Sequence, residues 1–241
     1  MKKQYLQSII QKYNLGGAIE TVTWKTTNKK LSIKFVSDDK SLTGEIKSNK
    51  FGLPDSEISI FSTSKLLKII GIVDHEIALS LNKKNNVYDK LIIDDKNYNL
   101  QFTLAEPMLV NKPPTVADIE YDLEATITEK DIGLINKARG ALSKENNYML
   151  LKSYEDEFGR IKIKFIFGEK SDYADKINFS IDAKGEENIV LPFNSDLFRD
   201  ILYNNKELGD GTIKISKKGL MEISFKNKDI STLYYLLRLS N

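Results

Sequence analysis

Apolar residues recur along this chain with two alternating periods. Leu6, Ile9, Ile10 and Tyr13 fall at i, i+3, i+4 and i+7, which predicts an amphipathic helix over residues 2–13. In KLSIKFV, Leu31, Ile33 and Phe35 alternate with Ser32 and Lys34, the period of a half-buried strand, and EISIF (57–61) repeats it. STSKLLKIIGIV (62–73) returns to the helical period, with Ser62 or Thr63 as its cap and Leu66, Leu67, Ile69 and Ile70 on its apolar side. Residues 76–82, 87–94 and 97–104 read as strands.

The same order then returns. LEATIT (123–128) reads as a strand, and TEKDIGLINKARGAL as a helix capped by Thr128, with Glu129 and Asp131 in its first turn. Its apolar face is Ile132, Ile135, Ala138 and Leu142. RIKIKFIF and INFSIDA alternate again, and FNSDLFRDILYNN is a helix capped by Asn194 or Ser195. Strands at 211–216, 219–226 and 230–239 complete the pattern.

The two halves align at a nearly constant offset. KLSIKF (30–35) matches RIKIKF (160–165), FSTSKLL (61–67) matches FNSDLFR (193–199), and Lys83-Lys84 matches Lys217-Lys218. The offset drifts only from 130 to 132 to 134, which points to an internal duplication. Each copy reads as helix, three strands, helix, three strands, an α+β architecture with two helices packed on antiparallel sheet. Between the copies lies EPMLVNKPPTVADIE, which holds three of the five prolines. Pro107, Pro113 and Pro114 lack backbone donors and exclude a helix interior or a central strand. The expected organisation is a first domain over 1–105, a connector over 106–121 and a second domain over 122–241.

Composition narrows the chemistry. Of 241 residues, 41% are apolar and 29% charged, with net charge +2, so total charge names no partner. There is no cysteine, which excludes disulfides and thiolate metal sites and fits a reducing compartment. The N-terminal helix has no signal-peptide apolar core, and no apolar run approaches a membrane span, so the expected location is the cytoplasm, without membrane contact. Charge is nonetheless unevenly placed. Residues 2–13 carry three lysines and no acid, and 63–70 two lysines and no acid. Residues 129–144 carry four cations against two acids, and 195–206 two of each. The four helices thus hold +7 of a chain total of +2, leaving −5 elsewhere. Basic helix faces rich in lysine suit sequence-independent contact with a phosphate backbone.

Catalytic chemistry has no foothold. The single histidine, His75, sits between Asp74 and Glu76 in a turn, without metal-ligand spacing. No phosphate-binding glycine loop occurs, YEDEF (154–158) reads as a hairpin turn, and Asp210-Gly211 as another. No nucleophile, base and orienter assemble, so neither catalytic residues, metal nor cofactor are expected, and the protein is not expected to be an enzyme.

Four segments, KKQYLQSIIQKYN, ISIFSTSKLLKIIGIVD, AEPMLVNKPP and ATITEKDIGLINKARGAL, carry a resemblance to DNA sliding clamps. The nearest resemblance is to the T-even bacteriophage type, the viral counterpart of proliferating cell nuclear antigen. It implies a DNA-clamp fold that closes into a homotrimeric ring around duplex DNA. It also implies a tether for the replicative DNA polymerase, opened by a clamp-loader ATPase. The strand Asn97–Leu104 of one copy would pair with Lys176–Ala183 of the next. The implied DNA contacts are Lys2, Lys3, Lys12, Lys65, Lys68, Lys130, Lys137, Arg139, Lys144 and Arg199. The fourth helix departs from the pattern, since Asp196 and Asp200 neutralise it. Partner peptides would dock at Met108, Leu109, Val110, Tyr234 and Leu236. Two alternatives compete: a β-rich oligomeric phage tail or baseplate protein, and a single-stranded DNA-binding protein. The second should interleave aromatics with its basic residues, and the basic helices offer only Tyr5 and Tyr13.

Overall fold

The computed structural model describes residues 1–142, 147–168 and 175–240. The chain divides into two compact units. Unit 1 is Met1–Pro114 with Lys228–Thr232, and unit 2 is Thr115–Asn227 with the residues from Leu233 onward.

Unit 1 begins with α1 (Lys3–Asn14), followed by β1 (Thr21–Thr27), β2 (Lys30–Val36), β3 (Leu42–Ser48) and β4 (Ser56–Phe61). α2 (Thr63–Gly71) comes next, then β5 (Ala78–Lys84), β6 (Val87–Asp94) and β7 (Asn99–Thr103). Its strands form antiparallel sheets in the orders β3–β2–β1–β4 and β5–β6–β7. The helical stripe Leu6, Ile9, Ile10 and Tyr13 is fully buried, as its spacing requires. Trp24 of β1 anchors that core, donating from Nε1 to Tyr13 Oη at 3.3 Å and meeting the Phe51 ring edge-on at 5.7 Å. β1 and β2 are joined by Asn28 and Lys29, both at positive φ (51° and 60°), as a tight hairpin matching strand twist demands.

Unit 2 begins with β8 (Leu123–Ile127) and α3 (Glu129–Gly140). β9 (Tyr148–Glu155), β10 (Ile161–Gly168), β11 (Lys176–Asp182), a two-residue β12 (Lys184–Gly185) and β13 (Val190–Asn194) follow. α4 (Ser195–Asn205), β14 (Gly211–Ser216), β15 (Leu220–Lys226) and β16 (Ile230–Leu237) complete the order. The sheets run β11–β10–β9–β13 and β12–β8–β14–β15–β16. Pro192 is tolerated because β13 is an edge strand, and its carbonyl accepts from Leu239 N at 2.9 Å.

The duplication is visible element by element. KLSIKF and RIKIKF are β2 and β10, and FSTSKLL and FNSDLFR are the junctions β4–α2 and β13–α4. The counterpart of β8 in unit 1 is reduced to one bridge, Lys2 to Glu76. Four full strands, rather than the expected three, separate the helices of each unit. In the overlooked β1 and β3 the inward row is interrupted by small or polar residues. β1 buries Thr26 beside Val22 and Trp24, and Gly44 and Ser48 stand beside Leu42 and Ile46 on the buried side of β3. A hydrophobicity pattern does not register Thr, Ser or Gly as inward-facing.

Two local expectations are corrected. Ser62 adopts φ 67° and makes no side-chain cap for α2; Glu20, preceding β1, instead accepts from Ser64 N at 2.9 Å and from the Ser64 hydroxyl. The positive φ near residue 210 belongs to Gly209 (93°), which ends a 3-10 turn over Lys206–Leu208. Gly211 starts β14, where an added Cβ would lie 2.5 Å from the Phe225 ring. The other caps stand: Thr128 and Asp131 form a reciprocal capping box, and Asn194 Oδ1 accepts from Asp196 N and Leu197 N.

The proline-rich stretch opens with a 3-10 turn, Pro107–Leu109, and residues 111–121 form neither helix nor strand. Within unit 1 it is tied down by Ala105 N to Ser59 O (2.9 Å), by buried Val110, and by Asn111 Nδ2 donating to Asp38 Oδ1 (3.2 Å).

Candidate nucleic-acid interface

Each unit packs its two helices against one another. In unit 1, Lys3 at the start of α1 donates from Nζ to the carbonyls of Val73 (2.5 Å) and Gly71 (3.3 Å), just beyond and at the end of α2. At the other end Asn14 Nδ2 donates to Ser64 Oγ (3.4 Å), so the helices run antiparallel. A cation on the last carbonyls of α2 also complements its dipole. In unit 2, Arg139 near the end of α3 meets Asp196 in the first turn of α4, and the Lys206–Leu208 turn beyond α4 packs on α3. That pair is antiparallel too.

These clasps sort the basic residues. Lys2, Lys65, Lys68, Lys130 and Lys137 are exposed. Among the described residues none of the five makes an ion pair or a side-chain hydrogen bond through its ammonium. Their ammonium groups are open to solvent. Lys3 is half-buried and spent on α2. Lys12 is fully buried and donates to Ser8 Oγ at 2.8 Å, so it is part of the core of unit 1 and not of its surface. Arg139 is only 2% exposed and held by Asp196, which removes it from the contact set. Arg199 lies 3.3 Å from Asp196 and 2.6 Å from Asp200. Burial pushes the Asp200 carboxyl up, and the Arg199 guanidinium beside it pulls the other way. Lys144 lies outside the described residues.

α4 also presents a pair that neither helix charge nor apolar spacing marks out. Tyr203 is exposed, and the Lys206 ammonium sits 4.1 Å from its ring centroid.

The expected partner-docking residues also divide. Met108 is 83% and Leu109 57% exposed on the 3-10 turn. Leu109 walls a groove of about 330 Å³ in unit 1, together with Phe61, Ile69 and Leu104. Val110 is buried. Tyr234 and Leu236 are fully buried, and Tyr234 Oη accepts from Asn205 Nδ2 at 2.9 Å. They face the core because β16 alternates, so their rows point inward and cannot receive a peptide.

β7 and β11 are edge strands of their sheets. Leu100 on β7 and Ile177 and Phe179 on β11 are only half-buried. Among the described residues no group of three or more His, Cys, Asp or Glu side chains could hold a metal ion, and no helix is long and apolar enough to cross a membrane.

The architecture, two copies of an antiparallel sheet unit each bearing an antiparallel helix pair, is that of PCNA-type sliding clamps. The proliferating cellular nuclear antigen of Entamoeba histolytica superposes with a TM-score of 0.74 at 11% identity, covering 100% of this chain and 97% of that one. The PCNA2–PCNA3 complex of Sulfolobus tokodaii gives a TM-score of 0.72, also at 11% identity, covering 99% of this chain and 97% of that one. No protein-family model matches the chain, and no curated protein matches its sequence.

Proposed function

We propose that this protein is a sliding clamp: a homotrimeric ring that encircles duplex DNA, tethers the replicative DNA polymerase, and is opened by a clamp-loader ATPase. The observation that carries the reading is the set of exposed lysines Lys65 and Lys68 in unit 1 and Lys130 and Lys137 in unit 2, on a fold shared with PCNA. Isolated lysine–phosphate contacts are weak, screened by salt and blind to sequence, so they exchange cheaply as the ring moves. Processivity then comes from enclosure and not from affinity. The protein is a scaffold and not an enzyme, and it works in the cytoplasm, that of the host cell if the source is a phage. Two units per chain favour a trimer, and the four quoted segments resemble the T-even phage type within the class.

Closure joins β7 of one copy to β11 of the next. The pairing satisfies two rows of edge backbone groups and covers Leu100, Ile177 and Phe179. The polymerase docks on Met108 and Leu109, the exposed large apolar residues of the connector.

Native mass measurement is expected to show three copies of the 27.5 kDa chain, and a monomer at every concentration overturns the ring. Protein loaded on nicked circular DNA should run off when the circle is cut. Retention on linear DNA with free ends sinks enclosure.

A further inference from the structure

α4 is the helix whose charges do not suit a DNA-facing role, since Asp196 and Asp200 neutralise Arg199. Arg199, Tyr203 and Lys206 nevertheless fall at i, i+4 and i+7, on one stripe of the helix. Between Asp200 and Glu207 the chain carries no acid. Tyr203 is 44% exposed, and Lys206 stands over its ring at 4.1 Å. Among the described residues the Tyr203 hydroxyl and the Lys206 ammonium have no hydrogen-bond or ion-pair partner. The stripe therefore ends in a free uncharged donor next to a free cation.

We propose that Tyr203 and Lys206 form the DNA contact of α4. The phenol hydroxyl donates to a backbone phosphate oxygen, and the ammonium, seated on the ring, pairs with the same or the adjacent phosphate. The inference rests on the clamp reading and names the residues by which its most acidic helix takes part. Three physical features favour it. Seating the ammonium on the ring restricts a four-carbon chain before DNA arrives, which lowers the entropy lost on contact. The carbonyl end of a helix repels anions, so a phosphate approaches there only if a cation offsets the dipole. The antiparallel packing also brings Lys130, at the start of α3, to the same end of the pair, so the two lysines reinforce one another. Glu207 beside Lys206 is exposed and trims the local charge, which makes the uncharged tyrosine donor count for more.

The test is titration of a short duplex at several salt concentrations, with Tyr203→Phe, Lys206→Gln, Lys68→Gln and Lys137→Gln. Both target residues are exposed, so thermal midpoints should stay at the wild-type value. Lys206→Gln is expected to weaken binding and lower the slope of log affinity against log salt by about one for each copy that touches the duplex. Tyr203→Phe is expected to weaken binding roughly three- to tenfold at unchanged slope, since it removes a hydrogen bond and no charge. If both variants bind like wild type while Lys68→Gln and Lys137→Gln weaken binding, this inference is wrong and the clamp reading stands. If all four bind like wild type, the DNA-facing role of the helices fails with it.

Discussion

Arg139 grips Asp196 through a hydrogen bond from Nη2 to Oδ2 at 3.1 Å and an ion-pair contact of Nε with Oδ1 at 3.0 Å, and so fastens the end of α3 to the start of α4. A nearly buried guanidinium held by one hydrogen bond and a close ion pair is a packing element, whatever its charge promises. Arg139→Met keeps the volume and removes the clasp. Because Asp196 lies at the rim, it regains water and keeps Arg199, so the loss is expected at about 2 kcal/mol, below that for a fully buried pair. A denaturation midpoint shifted down with DNA affinity unchanged supports the assignment, and weakened DNA binding at full stability contradicts it.

The opposite behaviour is expected of Lys65 and Lys68. Their change to Gln should leave stability within about 0.5 kcal/mol and lower the salt slope of duplex binding by about one for each lysine–phosphate pair removed. Lys12→Gln, in the buried position on α1, should instead lower stability and leave the slope alone. Titration and denaturation of the same three variants separate the roles.

On the connector, Met108→Ala and Leu109→Ala should leave stability within about 0.5 kcal/mol while releasing the polymerase. Tyr234→Ala should cost about 3–5 kcal/mol, since it opens a cavity and removes the hydrogen bond that Asn205 Nδ2 donates to the tyrosine, leaving the one to Ile201 O. Polymerase pull-down beside thermal melting checks both, and a stable Tyr234→Ala protein that no longer holds the polymerase would reverse the assignment.

The β9–β10 turn sets an acid response. Burial pushes the Asp156 carboxyl up, yet the Arg160 guanidinium and the Arg160 and Phe158 amides outweigh it and hold the group at about 2. A depressed carboxyl stabilises the fold above the ordinary carboxylate value near pH 4, and that stability drains away as pH falls from about 4 to 2. Asp156→Asn is expected to flatten the acid limb of stability in that window while loosening the hairpin at neutral pH. Unfolding followed from pH 5 to pH 2 for both proteins decides it, and an unchanged acid limb counts against the turn.

The elements legible in the sequence are those whose periodicity runs through strongly apolar residues. α1 shows Leu6, Ile9, Ile10 and Tyr13, and β10 shows Ile163, Phe165 and Phe167, all fully buried. β1 and β3 escaped because a strand needs only a residue that fits inward, and Thr26 and Gly44 fit without being hydrophobic. The cap of α2 escaped because its acceptor, Glu20, lies over forty positions from Ser64, beyond any local signature.

The duplication, the basic bias of the helices and the extended proline stretch follow from the sequence alone. Each is written in local order, in spacing, residue type and the fixed φ of proline. Tertiary structure alone decided which cations are free. Lys68 and Arg139 have the same sign and similar helical settings, but burial against a neighbouring helix turns one into a clasp and leaves the other in solvent. Charge is a property of a residue, whereas its availability depends on partners that the fold brings from far along the chain.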